Sequence, residues 1–214
     1  MKKLVIAVVG LLCFAPAAFA DNWGFGLRLG AGENDPKDLK EGYDEAFDYG
    51  YSSKELDKGY GIFGLEGLYE FDLADETNKV GVKLGVDFYG ENEVELKNSP
   101  IIPNVKGTEN TYAFPVTVYY KKDNGIEKWS WFAGAGLTLL KTELETKIDG
   151  FGKETDSKTK VFPHITAGAE YRFSQLFALG LDLKYNISAK AKKGDDTLSD
   201  RSGFSAALTG RFYF

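Results

Sequence analysis

Beyond residue 20 this 214-residue chain has no cysteine, one histidine and no apolar stretch long enough to cross a bilayer as a helix. The lone cysteine, Cys13, lies in the first twenty residues, so the remainder can form no disulfide and has no thiol chemistry. A single histidine, His164, excludes a multi-histidine metal site. Basic residues are scarce as well. Setting aside Lys2 and Lys3 leaves 24 Lys and Arg against 32 Asp and Glu, a net charge of about −8, which argues against a phosphate groove and a nucleic-acid partner. Glycine (25 residues) and aromatics (14%) are plentiful, a mixture that suits neither a disordered chain nor a helical bundle. Any membrane crossing would have to be made of strands.

The opening residues, MKKLVIAVVGLLCFAPAAFA, place Lys2 and Lys3 before an apolar run from Leu4 to Phe14 and close on Ala18-Phe19-Ala20. This is the pattern of a secretory signal peptide over 1–20, cleaved between Ala20 and Asp21. A membrane anchor would need a longer apolar span. Acylation at Cys13 is disfavoured because Leu12, not a small residue, precedes it. The mature chain, 21–214, reads as a single domain.

Read with period two, that chain offers eight runs, at 23–32, 60–71, 79–89, 110–120, 129–140, 161–173, 177–187 and 203–214. Each is about ten residues, the length of a tilted transmembrane strand. In the first, Trp23, Phe25, Leu27, Leu29 and Ala31 share one face and Gly24, Gly26, Arg28 and Gly30 the other. Connections alternate between long (33–59, 90–109, 141–160, 188–202) and short (72–78, 121–128, 174–176), as in an up-and-down barrel with one elaborate rim and one plain one. A soluble barrel also alternates, with its apolar face inward. Two features favour the inverted arrangement. Aromatics such as Tyr69, Phe71, Trp129, Trp131, Tyr171 and Phe173 gather near strand ends, like the two interfacial girdles of a membrane barrel. The polar face is also rich in glycine (81, 85, 134, 136, 168, 180), as a crowded lumen requires. The expected fold class is all-β, an eight-stranded antiparallel up-and-down transmembrane β-barrel preceded by the cleaved signal peptide.

The chain stops on GFSAALTGRFYF, with Phe204, Ala206, Leu208, Gly210, Phe212 and Phe214 on the outward face. This strand, with GAEYRF at 168–173 and GLYEF at 67–71, resembles the small eight-stranded outer-membrane β-barrel proteins of the OmpX, opacity-protein and OmpA-barrel kind, across the whole mature chain. The resemblance implies the outer membrane of a Gram-negative bacterium, with the bilayer and lipopolysaccharide as surroundings. It also implies that Phe212 and Phe214 form the C-terminal signature read by the barrel-assembly machinery.

Inward positions carry Arg28, Lys83, Arg172, Lys184 and Arg211 against Glu66, Glu70, Asp87, Glu170 and Asp182, five of each sign. An eight-stranded interior is just wide enough for side chains. Balanced charges there suggest a paired network that plugs the lumen; the alternative is a selectivity lining for a narrow pore, in which one sign should dominate. His164 faces inward with Thr166 and Glu170, but Glu170 lies about 20 Å along the strand, so a hydrolytic triad is not assembled. Pro115 and Pro163 each remove a ladder donor; a local bulge explains this, and so would a lateral opening in the wall of the OmpW-like kind. Loop 33–59 holds nine acidic and four basic residues among Tyr43, Phe47, Tyr49 and Tyr51, a candidate grip for a surface ligand. The sequence therefore leads to a monomeric barrel without catalytic residues, metal or cofactor. Its expected role is structural or surface-interacting through the long loops, with a narrow porin-like or OmpW-like channel as the alternative.

Overall fold

The computed structural model describes residues 23–33, 52–53, 59–73, 77–97, 105–124, 128–148, 152–193 and 196–214. The expected leader and its Ala20–Asp21 junction, and most of loop 33–59, lie outside these residues. The strands are β1 (Trp23–Glu33), β2 (Ser52–Ser53), β3 (Gly59–Asp72), β4 (Asn78–Lys97), β5 (Val105–Asp123), β6 (Trp129–Ile148), β7 (Gly152–Arg172), β8 (Phe177–Asn186), β9 (Lys190–Lys193), β10 (Asp196–Asp200) and β11 (Gly203–Tyr213). Eight of them, all but β2, β9 and β10, form one antiparallel ring in the order β1, β3, β4, β5, β6, β7, β8, β11. The ring closes where β11 meets β1, from Gly24 opposite Tyr213 to Gly32 opposite Ser205. Phe214 extends this seam by donating its N–H to Trp23 O at 2.9 Å. Closure matters because an open edge would leave backbone donors and acceptors unpaired in hydrocarbon.

Polarity is inverted relative to a soluble barrel. Outward Leu29 is 63% exposed and Leu208 57%, whereas their neighbours Arg28 and Thr209 are buried. Aromatics on the outer wall form two bands. At the short-turn rim, rings run from Trp23 to Tyr69 to Phe71, and from Trp129 through Tyr171, Phe173 and Phe177 to Phe212, with neighbouring centroids 4.5–5.8 Å apart. At the other rim, Phe63, Phe88 and Tyr112 make a second band, joined in kind by Tyr185 and Phe204. Amphipathic or aromatic rings at two levels are what the two bilayer interfaces select.

Inward glycines make room for large lumen side chains. A Cβ on Gly81 would come within 2.3 Å of the Tyr119 ring, and one on Gly168 within 2.4 Å of Phe132.

The two prolines are accommodated differently. Pro115 keeps its pairing with Thr138 of β6, while the β4–β5 ladder is interrupted between Leu84↔Val116 and Asp87↔Ala113 and resumes in the same register. The β4–β5 bulge falls further along, between Tyr89 and Asn92. Pro163 sits just beyond the last β7–β8 pair, His164↔Asn186, where an N–H toward β8 is not needed. Neither proline produces the bulge expected of it.

Strand length departs most from the expected pattern. The stretches 90–109 and 141–160, expected as long loops, are largely strand: β4 runs on to Lys97, β5 begins at Val105, β6 reaches Ile148 and β7 begins at Gly152. Outside a bilayer both faces of a strand can be wet, so sequences such as KTELETKI keep their backbone pairing while losing the hydrophobic alternation that marks the spans. Likewise, 188–202 contains the β9–β10 hairpin, and Ser52–Ser53 of loop 33–59 pairs with Lys97 and Leu96 of β4.

Candidate functional site

The lumen holds the densest chemistry. Period-two geometry sends every second side chain inward, and the ring of strands brings carboxylates and cations from distant sequence positions into contact. Asp87 on β4 accepts from Arg28 Nη1 at 3.0 Å and Lys184 Nζ at 3.1 Å. Asp182 on β8 accepts from Lys83 Nζ at 3.2 Å and from Arg211 Nη2 at 2.6 and 2.8 Å. Arg211 also reaches Glu66 through Nε at 2.7 Å and Glu170 through Nη1 at 3.2 Å. One guanidinium on β11 thus ties together β3, β7 and β8. Its planar fork, with five donors, suits that task.

Nearer the short-turn rim, Lys121 is a second hub. It donates to Glu70 at 3.1 Å, to Tyr213 Oη at 3.2 Å and to Glu170. Tyr119 donates to Glu70 at 2.9 Å and Tyr213 to Glu170 at 2.8 Å. Lys121 belongs to the inward parity of β5, whereas the sequence pattern assigns it to the short turn 121–128. Arg172 differs in the opposite sense. It sits at the rim with its side chain about a third exposed, 3.9 Å from Glu170, its guanidinium over the Tyr213 ring. Two apolar clusters share the lumen: Leu68, Ala178 and Tyr213 interleaved with the charges toward this end, and Tyr60, Ile62, Tyr89, Leu140 and Phe162 toward the other.

Beyond the second cluster lies a pair the sequence did not mark. Arg201, fully buried, donates to Glu109 at 3.1 Å and stacks over Tyr60 and Tyr89, 4.7 and 5.6 Å from their centroids. Glu109 continues the inward parity of β5, so it was legible in principle; Arg201 precedes β11 outside any alternation. Among the described residues, buried Arg and Lys (Arg28, Lys83, Lys121, Lys184, Arg201, Arg211) equal buried Asp and Glu (Glu66, Glu70, Asp87, Glu109, Glu170, Asp182), six of each. Charges withdrawn from water are tolerable only when matched in this way.

His164 takes no part in an acid–base arrangement. Its Nε2 lies 2.9 Å from Thr117 Oγ1 and its Nδ1 2.9 Å from Thr138 Oγ1, while Thr166 donates to Leu183 O. Beside it is a void of about 20 Å³ lined by Arg28, Lys83, Pro115, His164, Asp182 and Lys184, room for about one water molecule.

The family model for the outer membrane protein beta-barrel domain matches residues 4–212. Among solved structures, the outer membrane protein OprG from Pseudomonas aeruginosa superposes with a TM-score of 0.50 at 10% identity, covering 90% of this chain and 96% of that one. Ail, the attachment invasion locus protein of Yersinia pestis, gives 0.45 at 15% identity, covering 90% and 95%. No curated protein matches the sequence. An inverted-polarity ring of eight strands, two aromatic bands and a family match over nearly the full length lead to one assignment: the chain belongs to the outer membrane protein β-barrel domain family, whose members reside in the outer membrane of Gram-negative bacteria.

Proposed function

We propose that this barrel, exported by its leader 1–20, is a non-conducting and non-enzymatic platform that presents a projecting β-sheet to partners at the cell surface. The observation that carries this reading is the continuation of β4, β5, β6 and β7 as paired strands well past the end of β8. Between His164 and Gly152, β7 advances roughly 40 Å along its own path. Among the described residues no strand pairs with the outer side of β7 from Gly152 to Phe162, although β9 packs near part of β7. An open edge invites strand addition by a partner, and Lys153, Lys158 and Lys160 along it guard against self-pairing and favour an acidic segment.

Cells displaying the intact barrel should adhere to an epithelial monolayer at least several-fold better than cells displaying a variant with residues 144–157 deleted, which shortens the β6–β7 hairpin. Equal adhesion with equal surface display would overturn the reading.

A channel for small or hydrophobic solutes draws on the interrupted ladder at Pro115 and the void behind it. That void admits about one water, and the ion-paired side chains together with the cluster of Tyr60, Ile62, Tyr89, Leu140 and Phe162 occupy the lumen around it. In a planar bilayer the refolded barrel should therefore be silent. Discrete, reproducible openings would establish the channel instead.

A further inference from the structure

On the lipid-facing wall, at the level of the Phe63–Phe88–Tyr112 band, the barrel carries an apolar groove of about 390 Å³ walled by Leu29, Phe63 and Phe88. Its floor is bare backbone because Gly61 on β3 and Gly90 on β4 lie side by side, with only Ala31 across from Gly61 on β1 and Gly59 next on the same face of β3. These two glycines differ from those facing the lumen. A Cβ on Gly61 would meet nothing within 4 Å, and one on Gly90 would make only ordinary contact, 3.6 Å from Gly61 N. Neither has a positive φ. Gly90 falls within the β4–β5 register shift, where glycine suits a bulge, but among the described residues nothing asks for glycine at position 61, and a strand-interior glycine of that kind is unfavourable unless another group approaches the backbone. That register shift, between Tyr89 and Asn92, includes Gly90 itself and bends β4 at the outer end of the groove.

We propose that this groove seats one acyl chain of an outer-leaflet lipid. The groove is continuous with the surface that a barrel of this family presents to the bilayer, and its walls are aliphatic and aromatic. Its bare floor spans two strands and two to three residues, roughly 100 Å², far below the ~800 Å² per partner of a stable protein interface. A second copy of the chain is therefore the wrong size of occupant, whereas a single hydrocarbon chain lying along the strands is the right one. The inference rests on the family assignment and is independent of the surface-binding reading.

The test is native mass spectrometry of the protein refolded with dimyristoyl phosphatidylglycerol. The wild type should keep one lipid under activation that strips all others. Gly61→Leu/Gly90→Leu, which fills the floor, should lose it, while Ala135→Leu, elsewhere on the lipid-facing wall, should retain it. Heat-dependent gel mobility confirms that each variant folds, and Gly61→Leu alone, with open space for its side chain, replaces the double variant if that one does not. A wild type that keeps no lipid, equal retention in the filled variant, or a dimer that filling abolishes would each overturn the proposal.

Discussion

Arg211→Ala is expected to destabilise the folded barrel by about 3–5 kcal/mol, the penalty for leaving buried charges without their partner. The side chain is almost fully buried and bonds Glu66, Glu170 and Asp182 at 3.2 Å or less. Among the described residues, removing it leaves six buried carboxylates against five buried cations. Arg172→Ala is the internal comparison. It removes the same charge from a partly exposed rim position 3.9 Å from Glu170, so its effect should stay below about 1 kcal/mol. The measurement is the urea midpoint of the refolded protein, followed by heat-dependent gel mobility. Equal losses for the two variants would refute the view that buried pairing holds the barrel together. Arg211→Lys should recover only part of the loss, since a point charge cannot serve three carboxylates as a planar fork does.

Gly81→Ala should destabilise by about 1–3 kcal/mol through overpacking, a large effect for a single methyl group. The added Cβ would lie 2.3–2.6 Å from three atoms of the Tyr119 ring. The ring would have to leave its place over Lys83 and give up its 2.9 Å hydrogen bond to Glu70. Because every close atom belongs to one side chain, Gly81→Ala/Tyr119→Ala should be less destabilised than the sum of its parts, and the coupling in a double-mutant cycle measures the clash. Strict additivity would show that the lumen relaxes around the methyl group by another route.

Both expectations depend on residues that differ in how far the sequence discloses them. The membrane spans were legible because a bilayer outside and a polar lumen inside impose opposite solvents on alternate residues. Arg28, Lys83 and Arg211 could be set against Glu66, Asp87 and Asp182 from parity alone. Which cation meets which carboxylate was not legible, since those contacts cross the lumen between strands up to 145 residues apart. Lys121 is hidden because strand parity stops at the apparent turn, and Tyr213 because the inward parity of the last strand is followed only as far as Arg211. The projecting parts of β4 to β7 read as loops in the sequence for a different reason: water bathes both faces there, and alternation carries no information where the two solvents are the same.

The distribution of the six buried cations along the chain bears on how such a barrel can be made. Among the described residues, 23–200 contribute all six buried carboxylates but only Arg28, Lys83, Lys121 and Lys184, so the described inner face of a sheet built as far as β10 is two charges short of neutral. The final fourteen residues, RSGFSAALTGRFYF, contain no acid and supply Arg201 and Arg211. A curled but unclosed intermediate is thereby discouraged from entering hydrocarbon, because its inner face would carry unmatched negative charge into a medium that cannot screen it. Docking of the last strand completes the backbone ring and the charge balance in one event, which couples barrel closure to membrane entry and leaves truncated chains behind at the water side.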